Sequence, residues 1–291
     1  MRAAATTARK VLCFIRSQIY QIIINFAAVR YRLDLSYNGA AFCGWQVQPG
    51  VSTVQGELEA ALGTLLHCTV GVVGAGRTDT GVHALHYVAH FDYDGQLDCH
   101  QLRYRLNAIL PKGIAVSGVS VADPSFHSRF DAVSRSYSYY LHRFKNPFLD
   151  DRSFFYGYPD VDFGLMNECA SMLLGRHDFS CFEKSGGDNK TSVCTVLRAG
   201  WTALDGVPGF GSSAGAQLWR FDIEADRFLR NMVRAVVGTL LEVGRGKRTP
   251  EEFAALILPA QDDPAAGKAS RRCEAGESVP GHALFLVDVK Y

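Results

Sequence analysis

The feature that most narrows the possible folds is an interleaving. Segments of strand-like alternation are separated by amphipathic helical stretches and joined by connections of hairpin length. Residues 30–36 run Arg, Tyr, Arg, Leu, Asp, Leu, Ser, the period of a strand with one buried face. After a turn at Asn38-Gly39, Val54, Leu58, Ala61, Leu62, Leu65 and Leu66 recur at helical spacing, with Ser52 or Thr53 as cap. Strand patterns follow at 69–73, 88–93, 114–121, 135–144, 193–203, 217–225 and 283–291. Further helices are expected over 99–110, from about Asp162 to Gly175, over 227–243 and from Pro250. This order argues for an α+β protein with mostly antiparallel sheets. Both parts of the chain carry a similar mixture of two helices and several strands, as a duplicated fold would.

With 291 residues and 47% apolar content, the chain can bury two modest cores. We expect an N-terminal α+β domain over 30–125, a C-terminal α+β domain over 126–291, and an extension over 1–29 outside the fold. Within that extension Val11 to Val29 is rich in apolar residues, but Arg16, Gln18, Gln21 and Asn25 interrupt it, so a membrane span is not expected. Residues upstream of the true start are the preferred reading, and organelle targeting is the alternative. The eight cysteines are scattered without a C-x-x-C pair, which points to a reducing compartment and away from structural zinc.

The formal charge is +1, yet residues 1–30 hold five basic and no acidic residues. The remainder therefore carries 25 basic against 29 acidic residues, a net of −4. Any nucleic-acid partner must meet a local basic cleft, since the body lacks an overall basic charge.

Chemistry concentrates at Gly74-Ala75-Gly76-Arg77-Thr78-Asp79-Thr80-Gly81-Val82-His83. Glycines let backbone approach a ligand, Arg77 can hold a phosphate, and Asp79 stands between them. Gly71-x4-Gly76-Arg77-Thr78 nearly matches a phosphate-binding loop, but arginine replaces the lysine and no helix follows. Gly211-Ser212-Ser213-Ala214-Gly215 fits G-x-S-x-G, though it lies between two strands and not at a strand-to-helix elbow. On an extended chain His83 and His86 face opposite ways, and His86 and His90 lie about 13 Å apart at roughly 3.3 Å per residue, so shared metal ligation is not expected.

Arg227, Arg230 and Arg234 fall at i, i+3 and i+7 of the last long helical pattern. Cations in a helix's first turn oppose its dipole, so the stripe suggests anionic partners: phosphates for some, a carboxylate for another. An arginine paired to Asp79 would keep that side chain charged. Phe126-His127-Ser128-Arg129-Phe130 and Arg135-Ser136-Tyr137-Ser138-Tyr139-Tyr140 interleave basic and aromatic residues, a pattern suited to gripping an extruded base. Tyr139 and Tyr140 fit core strand positions equally well.

These segments together resemble the TruA family of tRNA pseudouridine synthases over nearly all of 30–291. The resemblance rests on Tyr37-Asn38-Gly39, Phe42-x-Gly44-Trp45-Gln46, Thr53-Val54-Gln55, the loop Gly76 to His83, Phe126-His127-x-Arg129-Phe130 and Arg135-x-Tyr137-x-Tyr139. Gly175-x-His177-Asp178-Phe179, Phe228-Leu229-x-x-Met232-Val233-Arg234 and Ala283-Leu284-Phe285-Leu286 complete it. It implies two α+β halves whose mostly antiparallel sheets join across a central RNA-binding cleft. It also implies a cytoplasmic homodimer, without metal or cofactor, that isomerises uridine in the tRNA anticodon stem-loop.

Residue by residue, Asp79 matches the catalytic aspartate, Arg77 its base-displacing neighbour, Tyr137 the tyrosine stacked on uracil, Arg234 the partner of the aspartate and Leu284 an apolar pocket residue. His83, Phe126, His127, Arg129, Arg135, Arg227 and Arg230 are the expected RNA contacts. The basic cleft is expected to comprise Arg77, Arg129, Arg135, Arg227, Arg230, Lys247 and Arg248. His86 and Tyr87 depart from the family, whose members often carry a small residue and glutamine there. The alternatives are the same chemistry on another tRNA position or an organelle RNA, and RNA binding without turnover.

Overall fold

The computed structural model describes residues 28–184, 186, 191–204, 217–260 and 274–291. Nearly all of the 1–29 extension and the Gly211–Gly215 loop lie outside the described residues.

The first half runs β1 (Val29–Tyr37), α1 (Val54–Leu66), β2 (Val72–Gly74), β3 (His83–Tyr93), α2 (Cys99–Ile109) and β4 (Ile114–Val121). The second runs β5 (Ser134–His142), β6 (Phe154–Phe155), α3 (Phe163–Ser171), β7 (Gly175–Asp178), β8 (Val193–Leu204) and β9 (Leu218–Ala225). It closes with α4 (Met232–Gly244), α5 (Pro250–Ala254), β10 (Leu258–Pro259) and β11 (Leu284–Lys290). The α+β expectation holds. Alternation in β1 buries Tyr31, Leu33, Leu35 and Tyr37, Thr53 caps α1 through the amide of Gly56, and Asp162 caps α3 through that of Leu165.

Among the described residues eleven strands form one sheet in the order β10-β7-β8-β9-β5-β11-β3-β1-β4, with β2 on β3 and β6 on β5. Within it the order β4-β1-β3-β2 repeats as β11-β5-β9-β8, every pairing in both sets antiparallel. Each set carries its helices after the first and third strands of the quartet in chain order, so the two halves share one topology. They meet through β11, which runs parallel to β3 over two residue pairs, Phe285 with His83 and Leu286 with Ala84.

This seam positions the cleft. Along one edge of β3, β2 pairs at Ala89, His90 and Phe91 while β11 pairs at His83 and Ala84. The loop from β2 to β3, which carries Asp79, emerges where one neighbour gives way to the other. Two apolar cores lie on either side: one gathers β1, α1, β3 and α2 with Leu286 and Val289, the other α3, α4, β8 and β9 with Val82 and Leu284. The last strand thus contributes to both.

The chain begins α4 later than the periodicity suggests. Arg227 to Asn231 form an irregular lead-in, and Asn231, in the left-handed region at φ 66°, breaks the helical pattern. The i, i+3, i+7 arginine stripe is therefore not helical at its first two positions. Of the three, Arg234 alone lies in the first turn, where the dipole argument applies.

Candidate active site

The Asp79 loop is clamped from three sides. Tyr37 OH and Thr78 Oγ1 share a 2.8 Å hydrogen bond, the Trp45 amide donates to Thr78 O at 3.1 Å, and the Val82 amide closes the turn onto Asp79 O at 3.1 Å. Gly44, at φ +84°, admits this approach, since a Cβ there would stand 2.5 Å from Thr78 O. Tyr87 also supports the loop: its hydroxyl donates to Gly76 O, and its ring stacks on Trp45 at 4.1 Å. The departure at Tyr87 is thus a buttress under the turn and not a base contact. His86 lies on β3 between Asp34 and Asp288, at 3.2 and 2.8 Å.

Arg234 supplies the partner for the carboxylate. Its Nη1 donates to Asp79 Oδ2 at 2.9 Å and its Nε to Val279 O at 2.7 Å. Gly238, one turn further along α4, leaves room for the strap that carries Val279, because a side chain at 238 would overlap the carbonyl of Glu277. Asp79 keeps 33% of its side chain exposed, so the pair is open to a ligand on one side.

A cleft of about 1170 Å³ surrounds this pair, lined among others by Arg77, Tyr137, Phe228 and Leu284. Its walls carry six arginines, 77, 129, 135, 227, 230 and 234, against two aspartates, 79 and 226. Positive charge is thus local in a chain that is nearly neutral, the arrangement a polyanion requires here. Tyr137 lies two residues along β5 from Arg135, its ring edge-on to Phe228 at 5.1 Å and 87°. Burial raises its phenol to about 12, with Arg135 lowering it and Asp79 adding to the rise.

Six residues sit differently from the expectation. His83 is buried, its Nδ1 accepting from the Gly39 amide at 3.1 Å and its Nε2 bonding His282 O at 2.8 Å. With both nitrogens engaged within the protein and burial depressing its protonation, it braces the loop. Phe126 and His127 are not among the residues lining the cleft; they pack in a cluster with His90, Tyr291 and Phe130, of which Phe130 lines it. Arg129 lines the cleft as expected, beside Phe130, which is 74% exposed there.

The guanidinium of Arg135 is engaged by four backbone carbonyls, so a phosphate fork is not available from it. Lys247 and Arg248 follow the far end of α4, whose last residue, Gly244, is roughly 15 Å along the axis from Arg234 at 1.5 Å per residue, and Arg248 is tied to Glu242 at 3.0 Å. Arg227 and Arg230 do reach the cleft, but from the irregular lead-in, with Arg227 Nη2 bonded to Thr191 O at 2.9 Å. Among the described residues no group of three or more His, Cys, Asp or Glu is arranged to hold a metal ion, and no helix is long and apolar enough to cross a membrane.

Comparison with known proteins decides the family. The sequence model of the tRNA pseudouridine synthase family matches residues 35–131 and 169–291. The chain belongs to the tRNA pseudouridine synthase family. A tRNA pseudouridine synthase A of Parabacteroides distasonis is 47% identical over 264 residues, spanning 90% of this chain and 96% of that protein. Its namesake in Bacteroides thetaiotaomicron is 47% identical over 263 residues, 90% of each. That of Bacillus subtilis is 38% identical over 268 residues, 90% of this chain and 99% of the other. For a pseudouridine synthase fold of this type, Asp79, Arg234, Tyr137 and Leu284 converge on one cleft, although they come from a loop, a helix and two strands.

Phe130 and Phe228 also line the cleft, although neither is among the expected site residues. Phe228 had a usable signal in its position between Arg227 and Arg230. Phe130 ends the motif that contains Arg129.

Proposed function

We propose that this protein isomerises uridine to pseudouridine in the anticodon stem-loop of tRNA, at about positions 38 to 40, on a base flipped into the cleft. Asp79 is the nucleophile. The observation that carries this reading is the ion pair of Asp79 with Arg234 beside Tyr137 in an arginine-walled cleft. A carboxylate facing RNA repels phosphate, and binding alone has no use for it. Arg234 offsets that repulsion and leaves Oδ1 to react. The names of the relatives support tRNA as substrate.

In the reaction as we write it, Asp79 Oδ1 attacks C1′ of the ribose. The C1′–N1 bond breaks, and its electron pair leaves with uracil. The base rotates, C5 attacks C1′ and displaces the carboxylate, the C5 proton is lost, and N1 gains one. Atoms balance within one nucleotide, so the sequence of steps consumes no co-reactant. Tyr137 enters protonated, because its phenol titrates near 12; it therefore holds the detached ring by its face and edge and is not the initial base. Arg77, on the exposed part of the loop, fills the place the flipped base vacates. We further propose a homodimer acting in the cytoplasm, with a domain boundary near residue 125.

The test incubates unmodified tRNA with the protein and maps pseudouridine by position. Product at 38 to 40 is expected. Product elsewhere in tRNA overturns the position, and no product on any tRNA overturns the activity.

A further inference from the structure

Arg135 makes a set of contacts that no phosphate-binding role explains. It sits at the start of β5, on the face it shares with Tyr137, and pairs in register with Ala225 of β9 and Val289 of β11. Nη1 donates to Ala132 O at 3.0 Å and Asp226 O at 2.9 Å. Nη2 donates to Ala75 O at 3.1 Å and Arg129 O at 2.6 Å. A guanidinium has five N–H donors, four of them on the two Nη atoms. All four are occupied, so neither edge can offer the bidentate fork that makes arginine a phosphate ligand.

The acceptors belong to three segments that wall the cleft. Ala75 opens the loop that carries Arg77 and Asp79. Arg129 and Ala132 flank exposed Phe130. Asp226 precedes the lead-in with Arg227, Phe228 and Arg230. These segments come from both halves of the molecule, which among the described residues are joined through the sheet by the two β11–β3 pairs. Its Nη2 holds the carbonyl of Ala75, whose amide in turn donates to Val88 O of β3 at 2.9 Å. Burial opposes its charge, and four carbonyl dipoles compensate for the lost water.

We propose that Arg135 is a positioning residue that fastens the Asp79 loop to the two C-terminal walls of the cleft, setting the carboxylate in register with Tyr137 and Arg234. The proposal rests on the pseudouridine synthase reaction described above. Lysine cannot replace it, because one ammonium cannot reach four carbonyls on three segments.

The test compares Arg135→Lys and Arg135→Met with the wild type under single turnover on unmodified tRNA, measuring rate at saturation, Kd and its salt dependence. Positioning predicts that both variants bind tRNA within about threefold of wild type with an unchanged salt slope, while the rate falls roughly 100-fold, the usual cost of a misplaced reacting group. Amide hydrogen exchange should quicken across residues 75–82 and stay unchanged in α1. A phosphate ligand would behave oppositely: Arg135→Lys, which keeps the charge, would keep the rate and the salt slope, whereas Arg135→Met would weaken Kd and lower the salt slope by about one. That outcome overturns the proposal, as does a wild-type rate in Arg135→Lys. Should Arg135→Met fail to fold, the lysine variant decides. Absence of product with wild type would instead overturn the underlying function.

Discussion

Arg234 reaches Asp79 across 155 residues of sequence and joins them at 2.9 Å, while its Nε holds Val279 O at 2.7 Å. The arginine thus has one hand on the Asp79 carboxylate and the other on the strap that leads into β11. Replacing it by lysine keeps a charge and loses one of the two contacts. We expect Arg234→Lys to lower the single-turnover rate about 100-fold and Arg234→Met about 1000-fold, with tRNA affinity changed only a few-fold. In an Asp79→Asn background the same substitutions should cost far less, because residues that act as a unit are not additive. Rate measurements on the four-member cycle check this.

Phe130 stands 74% exposed on the cleft wall, with the Arg129 guanidinium 5.7 Å from its ring centre. The turn beneath it is fixed by bonds from the Arg129 and Phe130 amides to His127 Nδ1, and we expect the exposed ring to stack on a base. Stacking of one base is worth about 1–3 kcal/mol. Phe130→Ala should raise Kd for tRNA roughly 5- to 100-fold at little cost in rate at saturation, and Phe130→Trp should restore binding. Filter binding with the three proteins gives the comparison.

Gly44 and Gly50 separate backbone strain from loop displacement. Both have positive φ, +84° and +75°, but a Cβ at 44 would press on Thr78 O while at 50 it meets nothing within 4 Å. Gly50→Ala should cost about 1 kcal/mol of stability and leave turnover intact. Gly44→Ala should cost more, about 2–3 kcal/mol, and should also slow turnover by pushing Thr78 and with it Asp79. Urea unfolding beside turnover on tRNA distinguishes the two.

Acid should weaken the protein through His90. Burial lowers its value to about 4, and its Nδ1 accepts from the Ser128 amide at 3.2 Å. Above pH 6.5 the ring is neutral in both folded and unfolded chains. Between 6.5 and 4 the unfolded chain takes up a proton that the folded one refuses, so stability falls as pH falls through that window. His90→Gln should show a smaller loss between pH 7 and pH 5, by about 1–2 kcal/mol at 1.36 kcal/mol per unit. Thermal unfolding at the two pH values measures it.

What the sequence made legible was local or periodic. β1 and α1 announce themselves by alternation and a capped apolar stripe, and Asp79 by a turn of glycines around a single carboxylate. The start of α4 was hidden, because Arg227, Arg230 and Arg234 fit a helical period that the left-handed Asn231 breaks. The duplicated strand order could only be suspected, since it depends on which strands pair.

Least legible were side chains whose partners are backbone atoms far away in the chain. Arg135 binds carbonyls 60 and 91 positions off, and His83 bonds one 199 positions off. A carbonyl has no sequence signature, so both residues read as RNA contacts when their types suited that role. Phe126 and His127 were misplaced for a related reason: a basic and aromatic segment reads the same whether its rings face a cleft or one another.

The central claim is that the carboxylate of Asp79 performs the chemistry. Asn keeps its size and its place in the turn but not its charge, so the deciding measurement is single-turnover pseudouridine formation by Asp79→Asn on unmodified tRNA, with Kd measured alongside. The account predicts binding within a few-fold of wild type and a rate at least about 10⁴-fold lower. Pseudouridine formed at the wild-type rate, at the same uridine, would contradict it.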